Sequence, residues 1–146
     1  MSEATSKQLG KADESGFYFS QEMLSGDPTA AINFDRLQKH PEQGYIIFEY
    51  LLCEEEQMVN PHTSHPKRYW YKNKRKFISL WEVAQALSGT LYLVNYAKKG
   101  TKHEDKVRVI KVLGLNDDGI TAEDSREIDR ENFQSWFRDL NRECLV

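Results

Sequence analysis

Two apolar runs on either side of one amphipathic stretch constrain this chain most. "YIIFEYLLC" (Tyr45 to Cys53) and "TLYLVNY" (Thr90 to Tyr96) are apolar on both alternating faces, the pattern of strands covered on both sides. Between them Phe77, Leu80, Trp81, Ala84 and Leu87 recur at helical spacing and form the apolar stripe of a helix over about Asn73 to Leu87. Gly89 is placed to stop it. Strand, crossover helix and strand predict a parallel pair in one sheet, joined right-handedly. A hairpin precedes this unit, Ile32 to Leu37 against Tyr45 to Cys53, about a turn at Lys39 to Gly44. "VRVIKVLGL" follows as a strand with one wetter face, and "NDDG" turns the chain after it. Asp129 is placed to cap a last helix, Arg130 to Glu143, whose stripe is Phe133, Trp136, Phe137 and Leu140. The expected fold class is α/β, a mixed sheet flanked by helices.

The 146 residues suit one domain with a real core. Residues 1–16 are polar and expected to be disordered, and they lack the apolar stretch of a secretory signal. Residues 17–146 are expected to form the single α/β domain, opening with a short amphipathic helix over Phe17 to Ser25. No apolar run approaches the roughly 20 residues of a membrane span, so no membrane association is expected. Two cysteines, Cys53 and Cys144, make no disulfide framework. Free thiols in a cytoplasmic protein are the default, with one bridge between them as the alternative.

Charge is uneven. The net value is −3, yet Lys67 to Lys76, "KRYWYKNKRK", carries six basic residues and three aromatics in ten positions. Such a loop suits the phosphate backbone of DNA or RNA, with Lys67, Arg68, Lys72, Lys74 and Arg75 as the contacts. Tyr69, Trp70 and Tyr71 either stack on bases or close the core beneath the loop.

Glu49 interrupts the first apolar strand. An unpartnered carboxylate in such a place costs several kcal/mol, so it needs a cation, a donor or a proton. Alternation puts Glu49 on one face with Leu51 and Cys53. Hairpin pairing brings Asp35 close to Glu49. Two carboxylates on neighbouring strands make an oxygen-ligand site for Mg²⁺, and such a metal activates water and stabilises charge on a phosphate. The structural alternative has Glu49 at a strand end or edge, paired with Arg36 or Lys76, and Asp35 merely opening a turn.

The order of hairpin with Asp35, strand with Glu49, crossover helix and strand "LYLVNY" resembles the core of the PD-(D/E)XK nuclease superfamily. The resemblance covers about Ile32 to Tyr96, under half of the chain. It implies a restriction-endonuclease-like core in which Asp35 and Glu49 hold Mg²⁺ and assist phosphodiester hydrolysis. The lysine of the "E-x-K" motif would fall at Leu51. Some members take this lysine from the following helix, and Lys76 matches that role best, ahead of Lys74 and Arg75. The implied catalytic set is Asp35, Glu49 and Lys76. A non-catalytic interaction protein on a degenerate nuclease-like scaffold is the alternative that Leu51 favours.

Other chemistries find less in the sequence. Cys53, His62 and His65 do not have the spacing of a structural zinc site, and "HTSHP" reads as a turn bonded to its own backbone. There is no "G-x-S-x-G" elbow, "G-x-G-x-x-G" or P-loop. Asn95, at a strand's C-terminal end, either lines a site or caps the strand exit. Trp136 and Phe137 are expected in the core. On a peripheral helix they would face a second copy, making a homodimer.

Overall fold

A computed structural model describes residues 14–145. The polar segment expected over residues 1–16 lies outside the described residues up to position 13, and Ser15 and Gly16 already belong to the first helix.

The elements run α1 (Ser15–Leu24), β1 (Arg36–His40), β2 (Gly44–Leu52), a 3₁₀ turn (Pro66–Tyr69), α2 (Trp70–Ala86), β3 (Thr90–Tyr96), β4 (Lys106–Asn116), β5 (Gly119–Asp129) and α3 (Arg130–Cys144). The five strands form one mixed sheet in the order β1-β2-β3-β4-β5. β2 and β3 are parallel, and every other neighbouring pair is antiparallel. The parallel pair predicted from the two apolar runs is therefore present, with α2 as its crossover. No helix among the described residues is long and apolar enough to cross a membrane.

Strand alternation sorts the core into two layers. Ile47, Leu91, Leu93, Ile110 and Val112 pack against Trp70, Phe77, Leu80 and Ala84 of α2. Ile46, Phe48, Val94, Val107 and Val109 pack under α3, with Leu140, Phe133, Trp136 and Phe137 above them. The Phe48 ring meets Tyr92, Trp136 and Phe137 at centroid distances of 5.2, 6.0 and 5.3 Å. Trp136 and Phe137 are thus core residues in the main, as expected. β4 is covered on both sides over Val107 to Val112, where Arg108 and Lys111 are half-buried, and its far end is wetter, with Leu113 and Asn116 exposed.

Four local differences from the sequence reading have identifiable causes. β1 begins at Arg36 rather than Ile32 and runs to His40. The Asp35 carboxylate accepts the Tyr50 amide at 2.8 Å, taking a donor that a longer β1 would have bonded from its backbone. α2 begins at Trp70, not Asn73. The 3₁₀ turn feeds directly into it, and Trp70 anchors the junction by stacking on Phe77 at 5.5 Å and donating its indole N–H to Asp117 O. The basic stretch is consequently a 3₁₀ turn and a helix face, not a loop. β5 is a strand where the sequence shows only an acidic tract. Cys53 and Cys144 are both free thiols, the default of the sequence reading.

Candidate functional site

Glu49 lies in the middle of β2, inside the sheet, and is 1% exposed. It is neither at a strand end nor on an edge. Parity places it on the α2 face with Ile47 and Leu51, whereas Phe48 and Tyr50 point toward α3. Register extends the same logic to β1. Arg36 pairs with Phe48, so Arg36 shares the α3 face, where it donates to Asn141 Oδ1 at 2.6 Å and lies 4.8 Å from the Phe137 ring centroid. Arg36 therefore cannot be the partner of Glu49. Asp35, one residue earlier, turns to the Glu49 side and remains exposed.

The cation at Glu49 is Lys76. Its Nζ sits 2.6 Å from Glu49 Oε1, with the lysine side chain 42% exposed. Lys76 lies one residue before the buried Phe77 and four before Leu80, so the helical stripe that packs α2 on the sheet also aims this ammonium at β2. The Asp35 carboxyl lies near enough to Glu49 to raise its pKa. Glu49 Oε2 has no donor among the described residues. Two carboxyl groups meet favourably only through a shared proton or a cation. Burial raises the Glu49 pKa from 4.5 to about 7; the Lys76 bond opposes this, and the Asp35 carboxyl adds to it. The three residues expected to form the site are thus together, drawn from the β1 lead-in, β2 and α2. Leu51 occupies the same strand face as Glu49 and contributes only apolar wall.

The long connection from Cys53 to Pro66 covers the neighbouring end of that face. Asn95 is fully buried and donates to Pro61 O at 3.2 Å and Ser64 O at 2.8 Å. Arg108 donates to Ser64 O at 3.0 Å and to Ser125 Oγ at 2.7 Å. The two imidazoles of "HTSHP" do more than close a turn. His65 Nε2 meets Glu123 Oε1 at 2.6 Å and His62 Nε2 meets Ile128 O at 3.0 Å, both on β5. Asn95 is therefore a clamp on the connection rather than a strand cap, although its Oδ1 has no hydrogen-bond partner.

The clamped connection delivers Tyr69, which the sequence reading placed either on bases or in the core but not beside Glu49. Burial, with Cys53 and Glu49 nearby, pushes its hydroxyl pKa up to about 12, against a smaller opposing effect of Arg68. Tyr69 walls the site as a neutral phenol. The signal that could have located it is the His65-Pro66 step. His65 Nδ1 accepts the Lys67 amide at 3.1 Å and opens the 3₁₀ turn, with Pro66 in its first position.

Of the expected nucleic-acid contacts, Lys67, Arg68, Lys72 and Arg75 are exposed and Lys74 is half-buried. They project from the 3₁₀ turn and the first turns of α2, the same segment that carries Lys76. Trp70 closes the core, whereas Tyr71 is 77% exposed beside Lys72, Lys74 and Arg75.

Among the described residues no group of three or more His, Cys, Asp and Glu side chains is placed to hold a metal ion. The pair Asp35 and Glu49 nonetheless fits a hard divalent cation, since Mg²⁺ is commonly held by one or two carboxylates with water or substrate phosphate completing its shell. The donorless Glu49 Oε2 and the exposed side of Asp35 are what such an ion would use. Comparison with known protein families, curated proteins and solved structures returns no match.

Proposed function

We propose that this chain is a divalent-metal-dependent, nuclease-like protein acting on or binding nucleic acid, with a restriction-endonuclease-like core that resembles the PD-(D/E)XK superfamily. The observation that carries the reading is the convergence of Asp35, Glu49 and Lys76 on one sheet face, with Lys76 Nζ 2.6 Å from Glu49. It supports a lysine supplied by the helix in place of the one that Leu51 lacks.

Asp35 and Glu49 would hold Mg²⁺, which when bound supplies a Lewis acid that activates water and offsets phosphate charge. The rest is the work of the chain. Lys76 keeps Glu49 from being an isolated buried charge and presents a half-exposed ammonium where negative charge would develop on a phosphate. Tyr69 and Leu51 exclude water from the inner side. Lys67, Arg68, Lys72, Lys74 and Arg75 bind the backbone of DNA or RNA on the approach, and Tyr71 offers a ring for stacking.

A second reading has one observation in its favour. Lys76 already neutralises Glu49 without a metal, which is what a non-catalytic interaction protein on the same scaffold needs. Cleavage separates the two. Purified protein with Mn²⁺ is expected to cut single- or double-stranded substrate, and Lys76→Ala to abolish cutting while the circular dichroism spectrum is unchanged. Intact substrates of both kinds would leave the scaffold reading.

A further inference from the structure

On the sheet face opposite Glu49, beside α3, lies an open groove of about 840 Å³. Its floor and walls are apolar, from Tyr50, Val94, Tyr96, Phe133 and Phe137. Its rim is mixed, with Lys99, Arg130 and Arg138 against Asp105 and Glu131, a net of one positive charge. The Arg130 guanidinium donates to two carbonyls, Ala97 O and Glu104 O, so it is held in place without being neutralised. None of the three cations forms a salt bridge among the described residues.

The same chain carries a helix, α1, that matches this groove and buries none of its own residues. Phe17, Tyr18, Phe19 and Met23 are each more than half exposed. Phe19 and Met23 stand at i and i+4, on one side of the helix. Glu14, Glu22 and Asp27 flank these rings, and no Lys or Arg occurs between Glu14 and Asp35. An acidic, aromatic helix thus complements an apolar groove whose rim is net positive. Exposed aromatic clusters of this kind mark interaction surfaces, and aromatic anchors dominate interface energetics.

We propose that α1 of a second copy of this chain occupies the groove, giving a two-fold symmetric dimer by reciprocal exchange of α1. Both halves of the contact are present on every chain, so a two-fold axis satisfies both grooves and both helices at once and leaves no open end. The tether permits the exchange. Residues 25–35 separate α1 from β1, and this segment can extend to about 40 Å. It leaves β1 at Asp35, whose carboxylate accepts the backbone amide of Tyr50, a residue that lines the groove. Lys76 and Glu49 lie on the other face, so pairing leaves the candidate catalytic face open.

The test uses the full chain. Size-exclusion chromatography with light scattering, at tens of micromolar protein, is expected to give twice the 17.1 kDa chain mass. The double variant Phe19→Asp/Met23→Asp is expected to give the single-chain mass with an unchanged circular dichroism spectrum, since neither side chain is buried. A photo-crosslinker, p-benzoylphenylalanine, placed at position 19 in a mixture of isotopically heavy and light chains is expected to join heavy to light peptides, with the adduct on Tyr96 or on the Phe133–Arg138 segment. A single-chain mass for the unaltered protein would overturn the proposal. So would a dimer that survives Phe19→Asp/Met23→Asp, or an adduct confined within one chain.

Discussion

Burial and the Lys76 ammonium pull the Glu49 carboxyl in opposite directions, and burial prevails, holding its pKa at about 7. Between pH 4.5 and 7 the folded chain keeps a proton here that the unfolded chain has released. Stability from this group is therefore fully present below pH 4.5 and falls as pH rises through 7. The shift corresponds to a loss of up to about 3 kcal/mol across that window. Glu49→Gln removes the titration. Urea unfolding at pH 5 and pH 8 is expected to show a smaller loss in the variant than in the unaltered protein; equal losses would mean that Glu49 ionises freely. The sequence made this residue conspicuous because an acid within an apolar strand has few stable environments. It also left open which cation answers it. Arg36 and Lys76 are separated by strand parity and helix phase, and parity is settled only once the register Arg36–Phe48 is known. Tyr69 was not legible in its role, because the turn that carries it is fixed by contacts from Asn95, Arg108 and β5 that lie far away in sequence.

At the scale of elements, β2, α2, β3, β4 and α3 were readable because each buries a face and so shows a period. β5 was not. It is an edge strand rich in Asp and Glu, with only Ile120 and Ile128 as partly buried hydrophobics, and its weak strand propensity is overridden by pairing along β4 through the Asn116–Gly119 turn. Its charges also suit an edge that must not pair with another sheet. The α2–β3 junction is the tightest point. A Cβ on Gly89 would overlap the Tyr45 carbonyl, so Gly89→Ala is expected to destabilise the fold by about 1–3 kcal/mol, read as a lower urea midpoint. The outer face of α2 belongs to the proposed nucleic-acid contact instead. Replacing Lys72, Lys74 and Arg75 by Glu is expected to weaken DNA or RNA binding at least tenfold and to flatten its salt dependence. Fluorescence anisotropy at low salt measures both, and no binding by the unaltered protein would remove nucleic acid as the partner of this face.

For the whole molecule, the sheet separates two sets of groups. One face, under α2, carries the Asp35–Glu49–Lys76 group and the basic approach to it. The other, under α3, carries the aromatic core and the groove. The same β2 strand serves both because its side chains alternate, which is why one acid could be placed in an otherwise apolar run without disturbing the Phe48 cluster behind it. The central claim is that the donorless Glu49 oxygen and exposed Asp35 form a divalent-cation site. Metal binding tests it more directly than cleavage, because it does not depend on choosing the right substrate. The measurement is the melting temperature in millimolar Mg²⁺ or Mn²⁺, for the unaltered chain and for Glu49→Gln. A metal at a hundredfold excess over its Kd stabilises the folded state by about 2.7 kcal/mol, which for a chain of this size is roughly 5–10 °C. The account predicts that rise in the unaltered protein and its loss in Glu49→Gln; a melting temperature indifferent to metal, or one that rises equally in both proteins, would contradict it.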